Sequence, residues 1–196
     1  MTITKLPQSR GVTWAKGNGD HSMTRLLAPL LLCCIFLLPV PAQAGENLDD
    51  MSSDQIAQQA EALHPSALYV LAARLLAEGK GREAANWMYA GQIRYRFLLA
   101  APGATSPNDR ILFSALTEQV GRPVNEYIAG DPDEWIAAME WALAWDEAHA
   151  NGVTSKTAHA AELAQIRQGL TDLIANVDSR REELRRHRID NGLENR

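Results

Sequence analysis

From position 52 onward, apolar residues recur at spacings of three and four, and no stretch shows the β-branched alternation of period two that marks a half-buried strand. The pattern predicts helices throughout. The first starts at a Ser52/Ser53 cap, with Gln55 placed to complete a capping box, and runs to about Leu63. His64-Pro65 interrupts, and a second helix follows from Pro65 to Glu78, with Leu68, Leu71, Ala72, Leu75 and Leu76 on one face. Gly79 and Gly81 bracket a turn before a third helix from about Arg82 to Ala101. After a loop at 102–108, a fourth helix from Pro107 or Asn108 to Val120 would turn Ile111, Leu112, Ala115, Leu116 and Val120 inward and close at Gly121. GRPVNEYIAGD, residues 121–131, reads as a turn plus a short helix. Asp131, with Pro132 and Glu134 behind it, caps a helix to about Ala150, where Asn151-Gly152 stops it. A final helix from Thr154 or Ser155 to Asp190 would end at Asn191-Gly192, with Gly169 as a possible bend or point of close approach. Its first half carries two apolar stripes; in the second half one stripe becomes Arg180 and His187, which predicts a packed half and a solvated half.

The third helix, WMYAGQIRYRFLLA at its heart, differs from the rest. On a helical wheel Ala84, Trp87, Met88, Gly91, Tyr95, Leu98 and Leu99 gather on one side, and Tyr89, Ala90, Ile93 and Phe97 on the other. Gln92 and Arg96 hold one seam between them and Arg94 the opposite seam. A helix apolar on two sides lies between two layers, so this one is expected to be central, with Gly91 admitting a neighbouring backbone.

Residues 67–95, through Ala67, Leu71, Ala72, Gly79, Ala84, Trp87 and Ala90, resemble a single Sel1-like or tetratricopeptide-type helical hairpin. The resemblance implies a helical scaffold that binds proteins or peptides, with Ala72 and Ala84 where its two helices meet. No second copy recurs at a fixed period, whereas a solenoid buries its core through about three repeats or more. The expected fold is therefore all-α, a compact multi-helix array built around a central hairpin, and not a full solenoid.

Upstream, Arg25 precedes an apolar run from Leu26 to Val40, and Ala42-Gln43-Ala44 supplies the small residues of a signal-peptidase site. Residues 23–44 read as a secretory signal cleaved after Ala44, and 1–22 as an extended or misassigned N-terminus, with Met23 the expected start. The run falls short of the ~20 residues that span a bilayer, so no stable membrane span is expected after cleavage. Cys33 and Cys34 lack the small preceding residue of a lipobox and leave with the signal, so residues 45–196 form a single domain without disulfides or thiol chemistry. The expected location is the periplasm or the exterior.

Of 19 basic and 24 acidic residues, four basic (Lys5, Arg10, Lys16, Arg25) and one acidic (Asp20) precede position 45, which leaves a net charge of −8. That balance argues against a nucleic-acid partner, because phosphate binding needs a basic face. The run SRREELRRHR is the basic exception; its cations suit a helix C-terminus, and a basic tail for an acidic partner is the functional alternative.

Chemistry is sparse. His64, His149, His159 and His187 stand at no metal-ligand spacing from one another, so no metal or cofactor is expected; His64 reads as a cap or turn residue. The GxSxG elbow, GxGxxG and the P-loop are absent. Asp146 falls in the stripe of Trp135, Met139 and Ala142, and a buried carboxylate there needs a cation, for which Arg94 and Arg96 are the candidates. Trp141 and Trp145, four apart, read as helix packing or as anchors for a partner. Asn125 and Tyr127 could line a cleft with the two arginines. The leading functional expectation is an exported, non-catalytic protein that acts by protein–protein binding, of immunity or inhibitor type. The alternative is a small periplasmic hydrolase using Arg94, Arg96 and Asp146 in a helical cleft.

Overall fold

The computed structural model describes residues 47–196. The signal-peptide reading of 23–44, the reading of 1–22 and the two cysteines lie outside the described residues. Among the described residues there are helices and no strands: the all-α array expected from the periodicity.

A 3₁₀ turn at Leu48–Asp50 leads into α1 (Ser53–Gln59), whose capping box forms as expected: Gln55 N–H donates to Ser52 Oγ at 3.2 Å, and Ser52 N–H to Gln55 Oε1 at 2.7 Å. The helix stops short of Leu63, and the chain continues in turns in which Ala62 N–H and Leu63 N–H both donate to Gln59 O. Ala60 O accepts from Arg94 at 3.0 Å and Glu61 O from Gly152 N–H at 2.8 Å. Helix α2 (Ser66–Ala77) and α3 (Gly81–Ala100) form the hairpin, with Gly79 at φ 77°, a left-handed conformation that glycine adopts without penalty.

The central position of α3 holds. Met88, Tyr95 and Leu98 on one side and Tyr89, Ile93 and Phe97 on the other are all sealed, against α2 and α6 as the principal neighbours. Each such side chain contributes about 1.5–3 kcal/mol of transfer free energy, so α3 is the element around which the others are laid. Gly91 packs against α2 so tightly that a Cβ there would lie 3.1 Å from Leu68 Cβ and from the Tyr69 ring. Ala72 and Ala84 are both fully buried, as small residues at the hairpin interface should be.

The fourth helix departs from expectation. Helix α4 (Asp109–Leu116) runs on through a π turn at Thr117–Gly121 into α5 (Arg122–Ile128), so Gly121 does not close it. Pro123 supplies the cause: it has no N–H to return and its ring crowds the carbonyl one turn back, and the wide turn, with Arg122 N–H on Thr117 O, relieves both. The inward face of α4 is also rotated. Buried Asp109, then Phe113 and Leu116, set the phase, which leaves Ile111 71% and Leu112 41% exposed where both were expected inside. Asp109 is fixed by Ser106 N–H at 2.6 Å and faces His64 Nε2 at 3.5 Å, and Phe113 packs on the rings of Tyr69 and Tyr95.

Helix α6 (Pro132–Ala148) begins at the Asp131 cap as read, with Asp133 N–H on Asp131 Oδ1 at 2.9 Å. The last segment is not one long rod. Residues 154–159 form turns in which Thr154 is buried, so helix starts at 160 instead of 154 or 155. Helix α7 (Ala160–Ser179) breaks at Arg180 from α8 (Arg181–Asp190), while Gly169 lies inside the continuous α7. The break lets α8 turn its cations onto the array. Arg181 pairs with Asp133 and Asp178, Arg188 donates to Glu126 O at 3.1 Å, and Arg196 reaches Glu134 at 2.7 Å. The basic end is thus largely committed to its own fold, and Gly192 closes it at φ 73°.

Two glycines in helix interiors should respond oppositely to alanine. A Cβ at Gly169 meets nothing within 4 Å, so Gly169→Ala should raise stability by about 1 kcal/mol through helix propensity alone. Gly91→Ala gains the same propensity but overpacks against Leu68, at a cost of about 1–3 kcal/mol, and should be net destabilising in urea unfolding. Equal shifts for the two variants would contradict this packing.

Candidate functional site

The carboxylate of Asp146 organises the interior between α3, α6 and α7. Arg94 Nε stands 3.4 Å from its Oδ1, with both side chains 1% exposed. Arg94, at the sealed seam of α3, also donates to Ala60 O at 3.0 Å and Ala150 O at 2.7 Å, and the Trp145 ring lies 4.2 Å from the guanidinium carbon. Arg167 of α7 reaches Asp146 Oδ2 at 3.0 Å and Glu147 at 3.0 Å, and Lys156 stands 3.7 Å from Asp146 Oδ2 while donating to His149 O at 2.7 Å. Burial pulls Arg94 and Lys156 below their ordinary ranges, and Asp146 opposes the shift in both. Of the two arginines considered from sequence, Arg94 is the partner; Lys156 and Arg167 were not foreseen. The carboxylate is sealed and faces three cations, which tie together the segments that carry them.

Other predicted residues do not join it. Asn125 Oδ1 accepts from Tyr89 Oη at 2.7 Å, and Tyr89 Oη in turn accepts from Trp135 Nε1 at 2.5 Å, a chain that ties α5 to α3 and α6. The Tyr127 ring sits where a Cβ on Gly81 would go, and its hydroxyl accepts from Arg196 at 2.9 Å. The cleft pictured between these two and the arginines does not form, because Asn125 and Tyr127 are spent on helix contacts and Arg94 is closed in. Trp141 and Trp145 stack with their rings 10° apart, both meeting Trp87 of α3 edge-on at 5.2 Å. They are half-buried, and Ala137, Ala144 and Ala148 on the same helix are exposed.

One arrangement has the outline of a nucleophile relay. Ser66 Oγ lies 2.8 Å from His64 Nδ1, whose ring faces buried Asp109 through Nε2. The backbone donors that would steady an oxyanion are already used. Ser66 N–H donates to His64 Nδ1 at 3.3 Å, Ala67 N–H to His64 O at 2.9 Å, and Leu68 N–H to Pro65 O at 3.2 Å. His64 therefore acts as the start of α2, accepting one of its free N–H groups.

Arg96 occupies the exposed seam of α3, beside a trough of about 450 Å³ between α3 and α7. Ile93, Ile166, Leu170 and Leu173 give it apolar walls, and Gln92 and Gln165 add amides. Among the described residues Arg96 has no carboxylate at ion-pair distance; its guanidinium lies 5.8 Å from the Phe113 ring centre. Also among the described residues, no three His, Cys, Asp or Glu side chains gather as metal ligands, and no helix is long and apolar enough to cross a membrane. The α7 half of the trough was not read from sequence, although Ile166, Leu170 and Leu173 around a glycine carry the signal.

No known family matches the chain, and no curated protein or solved structure matches it.

Two outcomes test this interior. Asp146→Asn leaves Arg94 buried without its counter-charge and should cost about 3–5 kcal/mol in guanidinium unfolding. Arg94→Met combined with Asp146→Leu should recover most of that loss, and a double variant no more stable than Asp146→Asn would contradict the pairing. Burial also pushes the Tyr95 hydroxyl, which has no hydrogen-bond partner, from 10.0 up to about 12. The unfolded chain then loses this proton first as pH rises. The stability it contributes is complete below about pH 10 and lost as pH climbs through the folded value. Tyr95→Phe should move alkaline unfolding to higher pH, followed by far-ultraviolet circular dichroism; an unmoved midpoint would refute the shift.

Proposed function

We propose that the chain is an exported, non-catalytic helical protein of the periplasm or exterior that works by binding another protein. One observation carries this reading: Arg94 and Asp146, the pair a catalytic cleft would need, are sealed against each other, while the surface presents an apolar pair and an apolar-walled trough. Arg94 and Asp146 are sealed, and Asp146 faces three cations. The outside instead presents Ile111 and Leu112 on α4 and the trough beside Arg96. Isolated exposed apolar side chains need no explanation, but two adjacent ones on a helix whose phase is fixed by buried Asp109 are suited to anchoring a partner.

The resemblance of the α2–α3 hairpin to Sel1-like and tetratricopeptide-type units supports the same class, as does the signal-like segment at 23–44. An immunity or inhibitor protein directed at a secreted toxin is one form such a binder takes. The hydrolase alternative finds no favouring observation, since Arg94 and Asp146 meet only in a sealed ion pair and Arg96 lies apart from them at the surface.

Affinity capture with the tagged, exported protein should retain a protein partner, and Ile111→Asp with Leu112→Asp should release it while leaving circular dichroism unchanged. Retention of nothing above background, together with turnover of a small substrate, would overturn the reading.

A further inference from the structure

We infer that the trough between α3 and α7 captures the free C-terminal tail of a polypeptide, with the terminal carboxylate on Arg96 and the last apolar side chains against Ile166, Leu170 and Leu173, above the buried Ile93. The inference rests on the protein-binding reading above and specifies the ligand at one of its surfaces.

Size is the first argument. From Gln92 to Ala100 on α3, and from Gln165 to Leu173 on α7, the walls run about 12 Å at 1.5 Å per residue. That length holds about four extended residues and is too short for the 20–30 residues that each side of a standard protein interface contributes. Polarity is the second. Arg96 lines the trough and is a planar, permanently charged fork with no carboxylate at ion-pair distance among the described residues; the Phe113 ring, 5.8 Å away, lies outside the trough. A carboxylate is an anion it recognises in two-pronged fashion. The amides decide between a peptide and an alkyl acid. Gln92 and Gln165 each offer donors and an acceptor, which match the N–H and C=O groups of a peptide backbone and have no use for a hydrocarbon chain. Gly169 completes the shape: a Cβ there would meet nothing within 4 Å, so its missing side chain leaves the trough open on the α7 side.

The test uses the exported protein and three probes: the tetrapeptide Ala-Ile-Val-Leu with a free carboxylate, its C-terminal amide, and dodecanoate. Binding is followed by methyl NMR of Ile93, Ile166, Leu170 and Leu173. The free acid should shift these methyls, and the amide should bind about tenfold more weakly, as loss of a charge-assisted contact implies. Arg96→Gln, at an exposed position, should bring the acid down to the level of the amide. Gly169→Leu, which fills the trough and leaves Arg96 in place, should abolish binding of both. Equal affinity for acid and amide, tighter binding of dodecanoate than of the peptide, or unshifted methyls with every probe would each overturn the inference. A captured protein partner that survives both Arg96→Gln and Gly169→Leu would overturn it too, while leaving the broader binding reading standing.

Discussion

A guanidinium without solvent must find its hydrogen bonds and its counter-charge in the protein, and in this chain that requirement falls on Arg94. Its partners are the Ala60 carbonyl just past α1, the Ala150 carbonyl just past α6, and the Asp146 carboxylate within α6. Asp146 in turn draws in Lys156 from the following turns and Arg167 from α7. The compensation is complete only when α1, α3, α6 and α7 are all in place. Hydrophobic burial supplies most of the driving force, but burial is non-directional. The ion cluster selects which ends of which helices meet, because any other arrangement leaves a charge stranded at a cost of several kcal/mol.

Much of this was legible in the sequence. The two-sided apolar pattern of α3 could only mean two covering layers, and Tyr89, Ile93 and Phe97 are sealed accordingly. Asp146 stood in an apolar stripe, which required a cation, and the arginine at the lone polar position of one seam is the one that answers. Less could be read where phase depends on tertiary contacts. The pattern of α4 alone favours Ile111 and Leu112 as core; the buried Asp109, held by Ser106 and facing His64, rotates the helix the other way. Helical spacing also continues smoothly through Arg180, so nothing local marks the break there. With the break, Arg181, Arg188 and Arg196 reach partners on α5 and α6.

The site was half legible for a related reason. Gln92 and Arg96 were visible as an exposed seam, but the opposite wall belongs to α7, whose lean across α3 and α6 no periodicity encodes. Asn125 and Tyr127 looked free as polar residues near a turn, and their apparent freedom vanished once Tyr89 and Arg196 were seen to claim them. The result is a division of labour between the two polar seams of one helix. Arg94 is used up inside to fix the architecture, and Arg96, two residues on, is left at the surface beside an apolar trough.

If the closed ring of segments around α3 is what holds the array, α3 cannot open without the whole chain opening. Native-state hydrogen exchange across a denaturant series measures this directly. The backbone amides from Met88 to Leu98 should exchange only through global unfolding, with free energies equal to the total stability, while those of α8 exchange through smaller openings. Amides of α3 that exchange as readily as those of α8 would contradict the account.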